Sequence, residues 1–454
     1  MMLTLVAFII AIAVLVAVHE WGHFSVARAC GVKVLRFSVG FGPRLAGWTS
    51  TTTGTEYVVG VLPIGGYVKM LDEREGPVDD SESALAFNTK PLRSRAAIVA
   101  AGPIANLLLA VILYSAVNWI GVDQPQALLA RPSQGSVLAI AALQGGERVV
   151  QAGYEGEELE PVQSFEKFRW WMARGALEHR NVQVEFLKPG ARNTQAVVLA
   201  LSEVDAPDAN AQLFARIGIL GPYSQAQIST ILPDGAAALA QLRTGDVVLR
   251  VDQTDIVDAG QLRDMIRVSG RDAEPLPQTW QLDRGGERLT VTVKPARERE
   301  GDQYIGRIRA GIGSPLAMTT VQYGLLDGVG EALAHTWETS ALTLRVLGQI
   351  VVGKASLNNL SGPITIADYA GKSAAMGPTQ FLLFLALMSI SLGVLNLLPL
   401  PILDGGHLMY YLWEALSGKP VTLTWTERLQ KVGFVILLMM MSVAVVNDVT
   451  RLLR

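Results

Sequence analysis

The sequence has a single cysteine and few charged residues for its length. Cys30 alone excludes an internal disulfide and any cysteine-rich zinc site. Charged residues occupy 17% of the 454 positions, whereas about a quarter of the residues in soluble proteins are charged. The net charge is −3 and no basic cluster is present, so no nucleic-acid partner is indicated. Any metal ligands must therefore be His, Asp or Glu.

The deficit of charge is concentrated in four apolar segments. They cover residues 2–24, about 96–120, about 379–399 and about 429–447. Each is near the roughly 20 residues that a helix needs to cross a bilayer, which predicts a polytopic α-helical membrane protein with four transmembrane helices. The first segment has no Lys or Arg before it and ends without a small-residue cleavage site, so we expect a retained helix and not a removed signal peptide.

The distribution of Lys and Arg predicts the orientation of these helices. The first loop, residues 25–95, carries nine Lys and Arg residues, and the loop between the third and fourth segments carries Lys419, Arg428 and Lys431. The positive-inside rule places both loops in the cytoplasm. Both termini and the long middle segment then face outward, although Arg451 and Arg454 argue weakly for the opposite arrangement.

The first apolar segment ends in the sequence His-Glu-Trp-Gly-His, residues 19–23. In a helix, His19 and His23 share one face, where both imidazoles can hold one zinc ion while Glu20 takes a proton from an attacking water. A pair of surface histidines is the alternative, because so short a motif also arises by chance. On the predicted orientation, the motif lies at the cytoplasmic end of the helix.

A catalytic zinc site needs three protein ligands and one open position, so a third ligand has to come from elsewhere. His179 and His335 lie in the outward-facing half, which leaves His407 or a carboxylate. Residues 396–407 read NLLPLPILDGGH, and an aspartate in such an apolar stretch is costly unless it is paired or binds metal. Asp404 and His407 both remain candidates at this point.

Residues 121–312 are soluble in character and contain a weak internal repeat. Residues 135–150 parallel residues 234–248, and each copy continues into a helical stretch and then into alternating strands. The predicted helices cover 165–174 and 260–268, and the predicted closing strands cover 215–219 and 308–312.

The second copy, which contains LRTGDVVLRVD at 242–252, resembles a PDZ domain. The first copy resembles a more divergent one, in which Gly146-Glu147 replaces the usual Gly-Asp. The resemblance implies two tandem α+β PDZ domains, at 121–221 and 222–313, of a kind that binds extended chain ends at a sheet edge. An unrelated small α+β module is the alternative for each copy.

The motifs together resemble those of the site-2 intramembrane metalloproteases. The features that support the resemblance are HExxH on the first helix, NxxPxPxLDG at 396–405 on the third, and the PDZ pair between the second and third helices. The resemblance covers essentially the whole chain. It implies a Zn²⁺ cofactor held by His19, His23 and Asp404, with His407 in a supporting or structural role.

The same resemblance implies roles for Glu20 and Asn396. Glu20 is the general base, and Asn396 contacts the backbone of the substrate. An asparagine hydrogen-bonded within a kinked helix is the alternative for Asn396. The catalytic motifs fall in the regions 1–120 and 379–454.

A transmembrane helix presents no free peptide bond, so a membrane substrate has to unwind before it is cut. Residues 55–70 resemble a β-hairpin with its turn at Pro63 and Gly65-Gly66. The family resemblance implies a membrane-associated hairpin near the zinc, and we expect Gly65, Gly66 and Tyr67 to hold unwound substrate as an added strand. An ordinary cytoplasmic hairpin is the alternative.

Two further features have less definite readings. Residues 320–353, within the region 314–378, have apolar side chains at helical spacing, which predicts a helix along the outer membrane face or one packed on the protein itself. Gly102, Pro103 and Asn106 lie inside the second apolar segment, and the sequence assigns them no chemistry.

These observations favour an intramembrane zinc endopeptidase of the bacterial inner membrane, with its active site toward the cytoplasm and its PDZ pair in the periplasm as a size filter. The resemblance implies a single-span anti-sigma factor, already shortened by another protease, as substrate, and signal-peptide remnants as a second class. A membrane-anchored PDZ scaffold with a non-proteolytic metal site is one alternative, against which the intact Glu20 weighs. A transporter with a metal site in its membrane spans is another alternative. The small number of polar residues in the four apolar segments argues against it.

Overall fold

The computed structural model describes residues 2–74, 76–204, 211–301, 303–351 and 362–452. The chain divides into two compact units. The helical unit consists of Met1–Gly121 with Gln322–Arg454, and the inserted unit consists of Val122–Val321.

Long apolar helices dominate the helical unit, and short strands dominate the inserted unit. The helices are α1 (Met2–Ala29), α2 (Leu92–Ile120), α3 (Val137–Ile140), α4 (Phe165–Leu177), α5 (Ala211–Ile217), α6 (Ala236–Leu239), α7 (Ala259–Ser269), α8 (Leu325–Val351), α9 (Pro363–Met376), α10 (Pro378–Asn396), α11 (Asp404–Ser417) and α12 (Leu423–Leu452). The strands are β1 (Val34–Thr49), β2 (Glu56–Met70), β3 (Val122–Pro125), β4 (Arg148–Tyr154), β5 (Glu160–Pro161), β6 (Val182–Leu187), β7 (Gln195–Leu199), β8 (Ile228–Ile231), β9 (Val247–Val251), β10 (Thr254–Asp255), β11 (Gln278–Arg284), β12 (Glu287–Val293), β13 (Ala296–Glu300), β14 (Gln303–Arg307), β15 (Ala310–Ile312) and β16 (Met318–Val321).

Within the described part of the chain, four helices are long and apolar enough to cross a membrane. They are α1, α2, α10 and the stretch Thr424–Thr450 of α12. These are the four segments predicted from the sequence, with bounds that differ by a few residues. The third ends at Asn396, before Pro399 and Pro401, because a proline inside a helix removes a backbone hydrogen bond.

The helices of the helical unit pack through small side chains. Ala11 of α1 is buried with Ala370 of α9, and Ala110 of α2 is buried with Ala332 of α8 and Ile390 of α10. Small residues let the backbones of apolar helices approach closely, which is how such helices gain packing energy when no water is displaced between them.

The helix predicted over 320–353 is α8, whose described residues end at Val351; the last two predicted positions lie outside the described residues. One face packs on the protein, where Ala332 is buried and the His335 ring meets the Tyr114 ring edge-on at 4.7 Å between centroids. Other apolar side chains are exposed, among them Trp337. The alternative of a helix packed on the protein therefore holds for one face, and contact of the other face with a membrane stays a prediction.

Strands β1 and β2 form one bent sheet. Residues 36–39 of β1 pair with 56–59 of β2 on one side and with 66–69 on the other, while 46–49 pair with 56–59. The expectation of a simple hairpin over 55–70 is wrong in this respect: the chain does reverse between its two arms, but β1 lies between them. The alternation of β2 alone does not reveal an intervening strand, because that strand comes earlier in the sequence.

The inserted unit contains the predicted repeat as one topology built twice. The sheet orders are β5-β4-β6-β7 and β10-β9-β11-β12, each with strands of equivalent position in the repeat. The predicted helices are present as α4 and α7, whose Phe168 and Leu262 are fully buried in the two cores. The repeat in the sequence is thus a repeat of an α+β fold.

The closing strand predicted at 215–219 is wrong, because this stretch is the end of α5 and the turn after it. Leu213 and Ile217, four residues apart, are both buried, which is the spacing of a helix face. The N–H groups of Gly218 and Ile219 both donate to the carbonyl of Phe214 and end the helix. In the second copy the predicted closing strand is present in part, as β15 paired with β8.

A buried carboxylate closes the equivalent loop of each repeat. Asp246 accepts from the N–H of Arg243 at 2.7 Å and pairs with Arg284 at 2.7 Å. In the first copy Glu147 accepts from the N–H groups of Gln144 and Gly145 at 2.8 and 2.7 Å. Burial raises the pKa of Asp246, but the hydrogen bonds from Arg284 and Arg243 outweigh burial and hold it below the usual 3.8.

We expect Asp246→Asn to lower the free energy of unfolding of the second repeat by about 1–3 kcal/mol at neutral pH, since it removes the charged group to which Arg284 is hydrogen-bonded. Because the folded pKa of Asp246 is depressed, its contribution is present above pH 3.8 and is lost as the pH falls through the folded pKa. Hydrogen exchange of β9 and β11 in the full chain is followed across a urea series at neutral pH and below pH 3.8. It measures the difference in the free energy of unfolding between the variant and the parent. The matched control is Asp255→Asn in an exposed pair with Arg250, which should cost less than about 1 kcal/mol; equal effects of the two variants would contradict the assignment.

Candidate metal centre

Helix α1 presents His19 and His23 on one face. At about 3.6 residues per turn, side chains four positions apart lie one above the other, and the two ring centroids are 4.8 Å apart with nearly perpendicular planes. Their Nε2 atoms are 3.2 Å apart. Glu20, on the same turn, is 9% exposed, as is His23, so this cluster is largely shielded from water.

Asp404 reaches the two histidines from the other end of the chain. The tight turn after α10 is closed by the N–H of Leu403 donating to the carbonyl of Leu400, and α11 begins at Asp404. The Oδ2 atom of Asp404 lies 3.2 Å from Nε2 of His19 and 3.5 Å from Nε2 of His23. The structure thus brings together the three residues expected to be ligands.

The spacing of these three atoms fits a zinc ion. Zinc–nitrogen and zinc–oxygen bonds of about 2.0–2.1 Å in a tetrahedron put neighbouring ligand atoms about 3.3 Å apart. The observed separations of 3.2, 3.2 and 3.5 Å approximate one face of that tetrahedron. Within the described residues, His19, His23 and Asp404 form the cluster of His, Cys, Asp or Glu side chains whose ligand atoms are close enough to share a metal ion. Two imidazoles and one carboxylate leave a fourth position open, as catalytic zinc sites do.

The charge state of Asp404 suits a metal ligand. When no ion is bound, burial alone would raise the pKa of this carboxyl group, but hydrogen bonds and charge interactions with the protonated rings of His19 and His23 lower it to about 2. Asp404 is therefore ionised at neutral pH. A carboxylate must be deprotonated to bind a metal ion.

The orientation of His23 is fixed from behind by α2. Its Nδ1 lies 2.8 Å from the backbone carbonyl of Ile98, which can only accept, so Nδ1 carries the proton. The lone pair of Nε2 is then directed at Asp404 and His19. Metal-binding histidines commonly donate their other N–H to such an acceptor.

Gly102 of α2 makes room for both imidazoles. A Cβ atom at this position would lie 2.8 Å from Cε1 of His19 and closer still to Nε2 of His23, which is too close for van der Waals contact, so the added atom would overlap both rings. The glycine that the sequence left without a role thus lies directly against the two rings.

A cavity of about 670 Å³ opens beside the three residues. Its wall includes Glu20, Gly66, Tyr67 and His407. His407 does not belong to the three-residue cluster, and its ring meets the Tyr410 ring edge-on at 5.8 Å.

Two of the predicted substrate residues lie elsewhere in the described structure. Gly65 packs against the ring of Phe41, and Asn396 ends α10 with a partly exposed side chain; neither is part of the cavity wall. Sequence reasoning missed the ion pair between Arg95 and Glu414, 2.6 Å apart and part of that wall. Its signal was weak, since Arg95 is one of many basic residues in the first loop.

A two-histidine, one-carboxylate centre with a neighbouring glutamate, in which the histidines and the glutamate lie on a helix able to cross a membrane, defines a metalloprotease-type site. Residues 7–440 match peptidase family M50. The chain therefore belongs to peptidase family M50, and the expected family is confirmed.

Curated relatives match over nearly their full length. A protein of Ralstonia nicotianae that is named as a zinc metalloprotease is 40% identical, over 99% of each chain. Regulator of sigma-E protease RseP of Escherichia coli K12 is 36% identical, over 99% of this chain and 98% of that one. Protease RseP of Yersinia pestis is 38% identical over 99% of each. A solved PDZ domain from Listeria monocytogenes aligns with 23% of this chain and 94% of its own at 17% identity and a TM-score of 0.15, too low to define a shared fold.

We expect Gly102→Ala to lower metal affinity at least about 10-fold, because the added methyl group displaces both imidazoles. Metal content of the purified chain and competition with a chelator measure this. Gly330→Ala in α8 is the matched control, since a Cβ there meets no atom within 4 Å; it should leave metal binding unchanged and stabilise its helix by about 0.5–1 kcal/mol. A Gly102→Ala chain that binds metal as tightly as the parent would contradict the packing argument.

Proposed function

We propose that this protein is an intramembrane zinc endopeptidase that cuts single-span membrane proteins. The observation that carries the proposal is the triangle of ligand atoms from His19, His23 and Asp404, with spacings suited to zinc. Membership of peptidase family M50 and the four apolar helices support it. The position of Glu20 on the wall of the adjoining cavity supports hydrolysis in particular.

The chemistry divides between the ion and the side chains. When bound, zinc would polarise the scissile carbonyl and make a water molecule more acidic. Glu20 would take the proton from the attacking water and return it to the leaving amine. The buried setting of Glu20 limits competing solvent around this transfer. His407, on the same wall, shapes the cavity and is not assigned a ligand role.

The substrate would bind as an extended strand. A membrane helix has all its backbone groups bonded internally, so a segment has to unwind to expose the scissile bond. Residues 66–69 form an edge of the β1–β2 sheet in the described chain, and Gly66 and Tyr67 adjoin the same cavity as Glu20. An unwound segment added to this edge would lie beside the proposed zinc. Gly65 supports the edge from the Phe41 side, and Asn396 is proposed to hold the substrate backbone.

The setting and the substrates are proposed from the relatives and from charge. The Escherichia coli relative is named a regulator of sigma-E protease, which supports a single-span anti-sigma factor as substrate after a first cleavage; signal-peptide remnants are a second class. The Lys and Arg residues of the two loops support an inner-membrane protein with its active site toward the cytoplasm. The duplicated α+β fold supports a periplasmic PDZ pair that excludes untrimmed substrates.

Glu20→Gln tests the proposed reaction. The variant keeps the size and polarity of the side chain but cannot take a proton, so cleavage of a single-span substrate should fall by about 100-fold or more while zinc content stays near that of the parent. Glu427→Gln is the matched control, since Glu427 adjoins the same cavity. This variant should cleave the substrate as the parent does. Unchanged cleavage by Glu20→Gln would refute the mechanism.

The third ligand is tested by comparing two residues of α11. Asp404→Asn removes the negatively charged ligand, so the affinity for zinc should fall at least about 10-fold. His407→Asn should keep the zinc affinity of the parent. Chelator competition on the purified chains distinguishes them. Retention of zinc by Asp404→Asn together with its loss in His407→Asn would transfer the ligand role to His407.

A further inference from the structure

Asn106 is a polar side chain enclosed in the middle of α2. It is 0% exposed, and its Nδ2 lies 3.2 Å from Nδ1 of His19. Its Oδ1 is buried with no hydrogen-bond partner among the described residues. An unpaired amide oxygen in an apolar interior is unfavourable. The contact between Asn106 and His19 therefore depends on which nitrogen of the His19 ring carries the proton.

The position of the proton on His19 follows from the surroundings of its Nε2 atom. Nε2 of His19 lies 3.2 Å from both Asp404 Oδ2 and His23 Nε2, where a metal ion would need its lone pair. A neutral imidazole carries one proton, so that proton must be on Nδ1. Nδ1–H then needs an acceptor, and the neighbouring Nδ2 of Asn106 is a donor.

Turning the Asn106 amide by half a turn resolves both difficulties. The amide has nearly the same shape after the turn, and Oδ1 then lies where it accepts from Nδ1–H of His19. The buried oxygen gains a partner, and the His19 lone pair is left on Nε2. His23 already has the equivalent arrangement through the carbonyl of Ile98 on the same helix.

We propose that Asn106 is a positioning residue for the metal centre, whose Oδ1 accepts a hydrogen bond from His19 Nδ1–H and holds this ring in the tautomer that binds zinc. Helix α2 then orients both histidines, His23 by a backbone carbonyl and His19 by a side chain. The proposal rests on the proposed function, because it takes His19 to be a zinc ligand.

The backbone of Asn106 is held independently of its side chain. Ser389 of α10 donates its hydroxyl to the Asn106 carbonyl at 2.7 Å, and this bond survives a change of side chain. Substitution of Asn106 therefore tests the amide without removing the contact between α2 and α10.

Two substitutions separate an acceptor role from simple packing. Asn106→Leu has a similar volume but accepts no hydrogen bond, so zinc affinity should fall about 10- to 100-fold. Asn106→Asp keeps an oxygen at the same place and should bind zinc at least as tightly as the parent. Asn118→Leu is the control, because it removes a different hydrogen bond of α2, to the Gly328 carbonyl at 2.8 Å, and should leave zinc affinity unchanged.

The measurements are chelator competition for zinc and ¹⁵N NMR of the histidine rings in the zinc-loaded chain, which contains only 5 histidines. In the zinc-loaded parent and in Asn106→Asp, His19 should carry on Nδ1 a hydrogen-bonded proton that exchanges slowly with water; in Asn106→Leu that proton should exchange faster. The signal of His19 is assigned by its absence from His19→Gln.

Several results would overturn the proposal. They are parent-like zinc affinity in Asn106→Leu, equal losses in Asn106→Leu and Asn106→Asp, and a parent His19 with its proton on Nε2. The last result decides the matter even if Asn106→Leu does not fold. A parent chain that binds no zinc at all would overturn the proposed function and this proposal with it, whereas zinc binding that Asn106→Leu leaves unchanged would overturn this proposal alone.

Discussion

The close approach of α1 and α2 is the constraint on which the proposed metal centre depends. A Cβ at Gly22 would lie 2.7 Å from the Cβ of Ala105, and one at Gly102 would overlap the two imidazoles. Both helices therefore meet through positions without side chains, as apolar helices do when van der Waals contact is their main source of association energy. If the two axes moved apart by the width of a methyl group, the carbonyl of Ile98 and the side chain of Asn106 would lose their contacts with the histidines.

Three pairs of polar groups connect helices in this apolar setting. His23 meets the Ile98 carbonyl, Ser389 meets the Asn106 carbonyl, and Arg95 meets Glu414. Each pair joins two different helices. Because an unpaired polar atom away from water is unfavourable by about 1–3 kcal/mol or more, these contacts favour one relative placement of the helices over others of similar packing. The residues of the proposed metal centre are thus positioned by directional bonds as well as by apolar contact.

The sequence predicted what depends on residue type and spacing, and failed where distant segments decide the outcome. The four apolar helices, the repeat and the family were accessible because composition and motifs carry them. The helix α5 was missed because Leu213 and Ile217 set a helical spacing that the alternating residues after 215 obscure. The insertion of β1 between the two arms of β2 was missed because pairing depends on another segment. Asn106 was recognisable as an amide in an apolar helix, but its relation to His19 requires the packing of α1 against α2.

The residues of the proposed centre are divided between the two ends of the chain. His19 and His23 lie on the first helix, whereas Asp404 begins α11, after the whole inserted unit in sequence. During synthesis, both histidines are made long before the carboxylate that completes the set. A nascent chain therefore has an unfinished centre until its last helices emerge from the ribosome, and the order of the segments itself delays the activity until the inserted unit has been made.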